Sequence, residues 1–225
     1  AEGALTARPG FASGDWWVQD AAAALPVRLL GDLSGQKALD LCAAPGGKTM
    51  QLSAAGASTT ALDISQSRLQ RLHENLDRTG LKADIIVADA RAHGSTDYDV
   101  VVLDAPCSAT GTIRRHPDLP FAKDGAQFSV LFDLQAQLLD HALERMAAHG
   151  RLVYCTCSLL PDEGEAQIEN ALQKHPSLRV DHSALDKDFI AQEWRVAELG
   201  LRLRPAFWAE HGGMDGLFIT VLRWW

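Results

Sequence analysis

Lys37-Ala-Leu-Asp-Leu-Cys-Ala-Ala-Pro-Gly-Gly-Lys48 is the stretch on which the fold of this chain turns. Five residues suited to a buried strand run into a loop of small side chains with two glycines, and a helical pattern begins near Lys48. Strand, glycine-bearing turn and helix form the first half of a βαβ unit, the building block of a parallel sheet covered by helices. The pattern recurs downstream. Residues 59–63 read as a second strand, and the next helix has Ser65 as N-cap, Leu69, Leu72 and Leu76 on one face and Gly80 as its stop. Residues 84–88 and 99–103 read as buried parallel strands ending at Asp89 and Asp104. A loop over residues 105–127 leads to a helix predicted over 131–148, with Gly150 as terminator and a fifth strand over 151–156. Pro161 is expected in a first helical turn, with Asp162, Glu163 and Glu165 beside it at the positive end of a helix dipole. Residues 216–222 read as a last strand, added antiparallel. The class is α/β: a central, mostly parallel sheet with helices on both faces.

A chain of 225 residues with 47% hydrophobic content can bury one sizeable core. Residues 1–35 read as an N-terminal segment packing on a single domain over 36–225. The sequence shows neither a run of 18 apolar residues nor a basic segment followed by an apolar one, so a cytoplasmic location without membrane contact is expected. The four cysteines, Cys42, Cys107, Cys155 and Cys157, lack C-x-x-C spacing and read as free thiols rather than metal ligands. A net charge of −8 argues against a domain that grips polyanions through its overall field, so any such contact is local. A monomer is favoured. The start at Ala1 suggests a fragment of a longer protein.

Open α/β sheets bind ligands beyond the carboxyl ends of their strands. There the loop over residues 42–47 lets backbone approach a ligand, and helix N–H groups can face a carboxylate or phosphate. Asp63 is placed to accept from ribose hydroxyls and Asp89 from an exocyclic adenine amine. Gly47-Lys48-Thr49 also matches the end of a phosphate loop, but Cys42 stands where that motif needs its first glycine and Pro45 interrupts the cradle. A dinucleotide-binding dehydrogenase fits the topology yet lacks G-x-G-x-x-G. Any one of these acids alone would read as a cap or turn residue; three at successive strand ends favour a ligand site. Asp104-Ala-Pro-Cys-Ser108 and Thr156-Cys-Ser158 put two thiols at the ends of the fourth and fifth strands, where both would face one crevice. Cys42 and Cys155 read as small buried hydrophobes. A bridge between Cys155 and Cys157 is disfavoured, because alternate residues on an extended strand hold their α-carbons near the upper limit for bridging.

Asp40-Leu-Cys-Ala-Ala-Pro-Gly-Gly-Lys-Thr49, Asp104-Ala-Pro-Cys-Ser108 with Gly111-Thr-Ile-Arg-Arg115, and Tyr154-Cys-Thr-Cys-Ser158 with the acidic stretch after it occur in this order. With Val18-Gln-Asp20 and Gly212-Gly-Met-Asp-Gly216, they resemble the Sun (Fmu) family of RNA cytosine-5 methyltransferases over nearly the whole chain. The resemblance implies a Rossmann-like class I fold, S-adenosylmethionine as methyl donor, and RNA as partner, above all the small-subunit ribosomal RNA on which the bacterial prototype acts. It implies that Cys157 adds to carbon 6 of the cytosine, that Cys107 assists release of the product, and that Asp104 binds the base while Lys48 holds its carboxylate. Addition of this kind is needed because carbon 5 is a poor nucleophile until a thiolate attacks carbon 6. By position, Cys42, Ala43, Ala44, Pro45, Gly46, Gly47, Lys48, Asp63, Asp89 and Asp104 form the cofactor pocket, with Arg68 as a further member. DNA enzymes attack from the Pro-Cys position, which is Cys107 here; the additional Thr-Cys-Ser marks the RNA enzymes. The bacterial members carry an N-terminal helical RNA-binding domain that residues 1–225 lack. Arg114, Arg115 and His116 read equally as a phosphate-meeting cluster or an exposed loop. The rivals are the same chemistry on transfer RNA or another structured RNA, and an idle RNA-binding module on the same scaffold, against which the presence of both thiols argues.

Overall fold

The computed structural model describes residues 4–122 and 125–225. Its first five strands are β1 (Lys37–Leu41), β2 (Ser58–Asp63), β3 (Asp84–Val87), β4 (Tyr98–Asp104) and β5 (Met146–Thr156). They lie parallel in the order β3-β2-β1-β4-β5. β6 (Leu178–Val180), β7 (Arg195–Val196), β8 (Gly200–Leu203) and β9 (Leu217–Trp224) extend this sheet with antiparallel pairings, β9 running beside β5. The expected antiparallel last strand is therefore present, and it carries further short strands that alternation alone did not reveal.

Among the described residues seven α-helices accompany the sheet: α1 (Ala21–Arg28), α2 (Gly47–Ala54), α3 (Gln66–Thr79), α4 (Leu119–Ala122), α5 (Phe128–Arg145), α6 (Glu165–Lys174) and α7 (His182–Leu185). Alternation along the strands sorts the core into two faces. Ala38, Val100, Val102, Val153 and Cys155 pack with Leu25 and Leu29 of the N-terminal region and with Leu52 of α2. Leu39, Leu41, Val101, Leu103 and Tyr154 pack instead with Leu138, Leu139 and Ala142 of α5 and with Ile168 of α6. α3 buries Leu69, Leu72 and Leu76 against Met50 and Ala61, and its caps are those expected: Ser65 accepts from Arg68 N, and Gly80 takes the left-handed conformation at φ 67°.

One expectation needs correction. α5 ends at Arg145, and residues 146–150 belong to β5 instead of a last helical turn. Met146 registers with Tyr98 on β4, so sheet pairing overrides the helix propensity of Ala147 and Ala148. Gly150 stops no helix: a Cβ there would lie 2.8 Å from the Tyr98 carbonyl oxygen, so glycine serves close strand packing. Pro161 opens a helical turn after β5 as expected, with Asp162 and Glu163 in it, and Glu163 is fully buried there.

Candidate active site

The alternation that builds the core also builds the site. On β1, Asp40 follows Ala38 on one face; on β4, Asp104 follows Val100 and Val102; on β5, Cys155 follows Val153, and Asp104 registers with Cys155. Cys157 lies just beyond the end of β5. Lys48, in the first turn of α2, covers the same face and donates to Asp104 Oδ2 at 2.7 Å, while Cys155 Sγ lies 3.6 Å from Asp104 Oδ1. Burial alone would lower the affinity of Lys48 for its proton; the attraction of Asp104 outweighs that and raises it. Asp40 accepts from Thr49 Oγ1 at 2.6 Å, its other oxygen has no hydrogen-bond partner among the described residues, and burial raises its carboxyl to about 7. Asp40, Lys48, Asp104 and Cys157 line a cavity of about 730 Å³ with Ala43, Ala44, Pro45, Gly47 and Arg68.

Cys157 lines this cavity, and its sulfur lies 3.4 Å from that of Cys107. Their hydrogen bond holds Cys157 below the ordinary thiol range despite its burial, and the same bond together with burial pushes Cys107 well above that range. Either sulfur can donate in this contact, and the bond favours a pair in which one thiol is ionised and the other keeps its proton. Burial keeps the other two thiols protonated, Cys42 pushed up to about 12 and Cys155 well above its ordinary value. Cys155 is buried as expected, whereas Cys42 is half-buried, stands in a left-handed conformation (φ 62°) and faces a second cavity.

That cavity, of about 130 Å³, is lined by Cys42, Asp63, Ile64, Arg68, Asp89, Pro106 and Leu138. Asp63 is buried and accepts from Ala44 N at 3.1 Å and Ser65 N at 2.9 Å, so it latches the loop after β1 to the start of α3. Asp89 accepts from Arg91 N, Nε and Nη2, and those bonds hold its carboxyl down at about 2. Arg68 borders both cavities: it donates to the Ala44 carbonyl and stands 3.7 Å from Asp63 Oδ2. Gly46 lines neither. It caps α2 at φ 107° where a Cβ would collide with Leu72 Cδ1 at 2.2 Å, so its position calls for glycine on packing grounds.

Arg114 and Arg115 are engaged within the chain. Arg115 grips Asp215 through Nε at 3.0 Å and Nη2 at 2.6 Å, and Arg114 reaches Asp20 Oδ2 at 2.8 Å. Asp20 also caps α1 and accepts from Asp215 N. The loop after Cys107, the N-terminal segment and the 212–216 turn are thus clamped together around the larger cavity.

Sequence reasoning missed Glu163 as a functional candidate. Its Oε1 accepts from Ser108 N at 2.8 Å and Gln135 Nε2 at 3.0 Å, and its Oε2 from Ser108 Oγ at 2.5 Å. Asp40 was missed as well, although an acid inside a buried apolar strand is an anomaly visible in sequence.

The sequence model of a family described as "16S rRNA methyltransferase RsmB/F" matches residues 27–223. Ribosomal RNA small subunit methyltransferase B of Cronobacter sakazakii is 43% identical over 79% of the chain, and that of Salmonella arizonae is 45% identical over 76%. The matches cover 43% and 41% of those relatives, so the chain spans about two fifths of their length. Among solved structures, NSun6 from Pyrococcus horikoshii with SFG superposes with a TM-score of 0.85 at 25% identity, covering 99% of this chain and 56% of that one. A methyltransferase homologue from the same organism gives 0.78 at 29% identity, covering all of this chain and 73% of that one. The fold is that of the class I S-adenosylmethionine-dependent methyltransferases, and the chain belongs to the RsmB/F family of 16S rRNA methyltransferases.

Proposed function

We propose that this chain transfers a methyl group from S-adenosylmethionine to carbon 5 of a cytosine in small-subunit ribosomal RNA, through a covalent adduct on Cys157. One observation carries the reading: the Cys157 sulfur sits 3.4 Å from that of Cys107, at a cavity Cys157 shares with the Lys48–Asp104 pair. The residues suit the cofactor. Apolar Pro106, Leu134 and Leu138 can flank a flat ring, Asp63 lines the same cavity with each oxygen already accepting one backbone N–H and a second lone pair left for a ribose hydroxyl, and Ala43, Ala44, Pro45 and Gly47 line the larger cavity. Asp89 fits the adenine amine less simply, since Arg91 already occupies both its oxygens. When bound, the cofactor supplies an electrophilic methyl on a sulfonium.

The chain's own groups divide the remaining work. Asp104, held by Lys48, orients the base and accepts from the N3–H that forms as N3 takes a proton from solvent while the Cys157 thiolate bonds to carbon 6. That addition makes carbon 5 electron-rich enough to take the methyl. Release requires loss of the carbon 5 proton and breakage of the carbon 6–sulfur bond, and Cys107 is the adjacent group placed to assist. A cytoplasmic setting accords with four unpaired thiols.

The test is to incubate the protein with a small-subunit rRNA transcript and cofactor labelled in its methyl group, digest the RNA, and resolve the nucleosides. Label in 5-methylcytidine, absent with Cys157→Ser, is the expected result. Label in another nucleoside, or undiminished transfer by Cys157→Ser, overturns the proposal.

A further inference from the structure

We propose that Glu163 is the positioning residue that sets the two cysteines against each other, by fixing the loop after each of them from one buried carboxylate. Its side chain receives three neutral donors, Ser108 N–H, Ser108 O–H and the Gln135 amide, and Ser108 is the residue that follows Cys107. Gln135 also donates to the Pro106 carbonyl at 2.8 Å, so Cys107 is held from both of its neighbours. Ser108 Oγ lies 3.1 Å from Ser158 Oγ, and Ser158 follows Cys157. The Glu163 carbonyl accepts from Tyr154 Oη at 2.9 Å and Thr156 Oγ1 at 3.0 Å, which ties the same residue to the strand leading into Cys157.

The chemistry of the donors explains why an acid stands here. Three donors converge on two oxygens, and a carboxylate is acceptor-only, whereas an amide of the same shape must turn an N–H₂ toward one of them. Burial of the carboxylate is tolerable because charge-assisted bonds of this kind are roughly twice as strong as neutral ones. The charge has a second effect. It disfavours a thiolate at Cys107, although the bond to Cys157 and burial contribute more. A displacement of a few tenths of an ångström in the Ser108 loop moves Cys107 directly, and this network acts on the 3.4 Å sulfur contact beside the Ala105 N–H bond to the Cys155 carbonyl at 3.0 Å, the Gly111 N–H bond to the Cys157 carbonyl at 3.0 Å and the Leu159 N–H bond to Thr110 Oγ1 at 2.9 Å.

This role rests on the assignment of Cys157 as the nucleophile, but its test needs no RNA. Alkylation of Cys157 by iodoacetamide is followed across pH, resolved by residue with mass spectrometry, in the unaltered protein, Glu163→Gln, Ser108→Ala and Cys107→Ala. Cys107→Ala removes the partner thiol and sets the upper reference for the midpoint. Glu163→Gln should move the midpoint upward toward that reference by about half a pH unit or more, while Cys155 stays protected and cofactor affinity stays within about threefold. Ser108→Ala, which keeps the backbone and the Glu163 charge, should shift it in the same direction and serves where Glu163→Gln does not fold. A midpoint unmoved in a folded variant overturns the proposal, as does a shift accompanied by equal loss of Cys155 protection, since that reports general loosening. Retained methyl transfer by Cys157→Ser would sink the nucleophile assignment and leave the alkylation result standing, so the two failures are distinguishable.

Discussion

Lys48 Nζ donates to Asp104 Oδ2 across 2.7 Å, joining the first turn of the helix after the small-residue loop to the end of the fourth strand. The pair is asymmetric: the Lys48 side chain is 9% exposed and that of Asp104 36%. Breaking a buried ion pair costs about 3–5 kcal/mol, and partial hydration of Asp104 reduces that to about 1–2 kcal/mol for Lys48→Met. Methyl transfer should fall at least about tenfold in the same variant, because Asp104 loses the partner that aims it. Urea unfolding and single-turnover assays read the two effects. Unaltered values in both would take the pair out of the site.

Asp63→Ala should raise the dissociation constant for S-adenosylmethionine roughly ten- to a hundredfold, about 1.4–2.7 kcal/mol, if the carboxylate holds the ribose. The latch it forms with Ala44 N and Ser65 N adds a stability loss of about 1–3 kcal/mol, for two backbone donors left without a partner. Calorimetric titration at a temperature well below the melting transition separates the two. Full affinity in a destabilised variant would make Asp63 a latch and nothing more.

The acids at strand ends, the loop after the first strand and the convergence of both thiols were readable because strand alternation and strand-end placement are local rules. What escaped has a common physical origin in contacts between residues far apart in sequence. Glu163 reads locally as a first-turn acid, and only the folded chain brings Ser108, 55 residues away, onto its oxygens. Arg115 and Asp215 are separated by 100 residues, so nothing local in the sequence showed that Arg115 is paired within the chain. Residues 146–150 carry helix-forming alanines, and their strand state follows from pairing with β4.

Asp40 gives a pH-dependent signature. Its folded-state value of about 7 exceeds the ordinary 3.8, so the folded protein holds this proton more tightly than the unfolded chain does. The resulting stability is complete below about pH 4 and is lost as pH rises to about 7 and beyond, to the extent of up to about 4 kcal/mol. Lys48 opposes the shift while Asp104 and Asp63 add to it. Asp40→Asn keeps an oxygen for Thr49 and cannot ionise, so it should match the unaltered protein near pH 4 and exceed it near pH 8. Parallel stability curves across that range would show that Asp40 is ionised in the folded state throughout.

The two thiols should give opposite phenotypes, because one makes the bond to the base and the other acts after methyl transfer. Cys157→Ser should abolish both turnover and covalent complex, since a hydroxyl near neutral pH is a far weaker nucleophile than the thiolate favoured at this position. Cys107→Ala leaves the Cys157 sulfur in place but removes its hydrogen-bond partner, so addition should shift to higher pH. Methylation of carbon 5 should still follow. Elimination should then stall, leaving a protein–RNA adduct that carries the methyl label and survives denaturing electrophoresis. The pH dependence of adduct formation adds a second reading: its midpoint should lie higher in Cys107→Ala than the midpoint of turnover in the unaltered protein, as loss of the S–H···S bond requires. If the labelled band appears with Cys157→Ser and vanishes with Cys107→Ala, the attacking sulfur is Cys107, and the chemistry follows the Pro-Cys arrangement of the DNA enzymes.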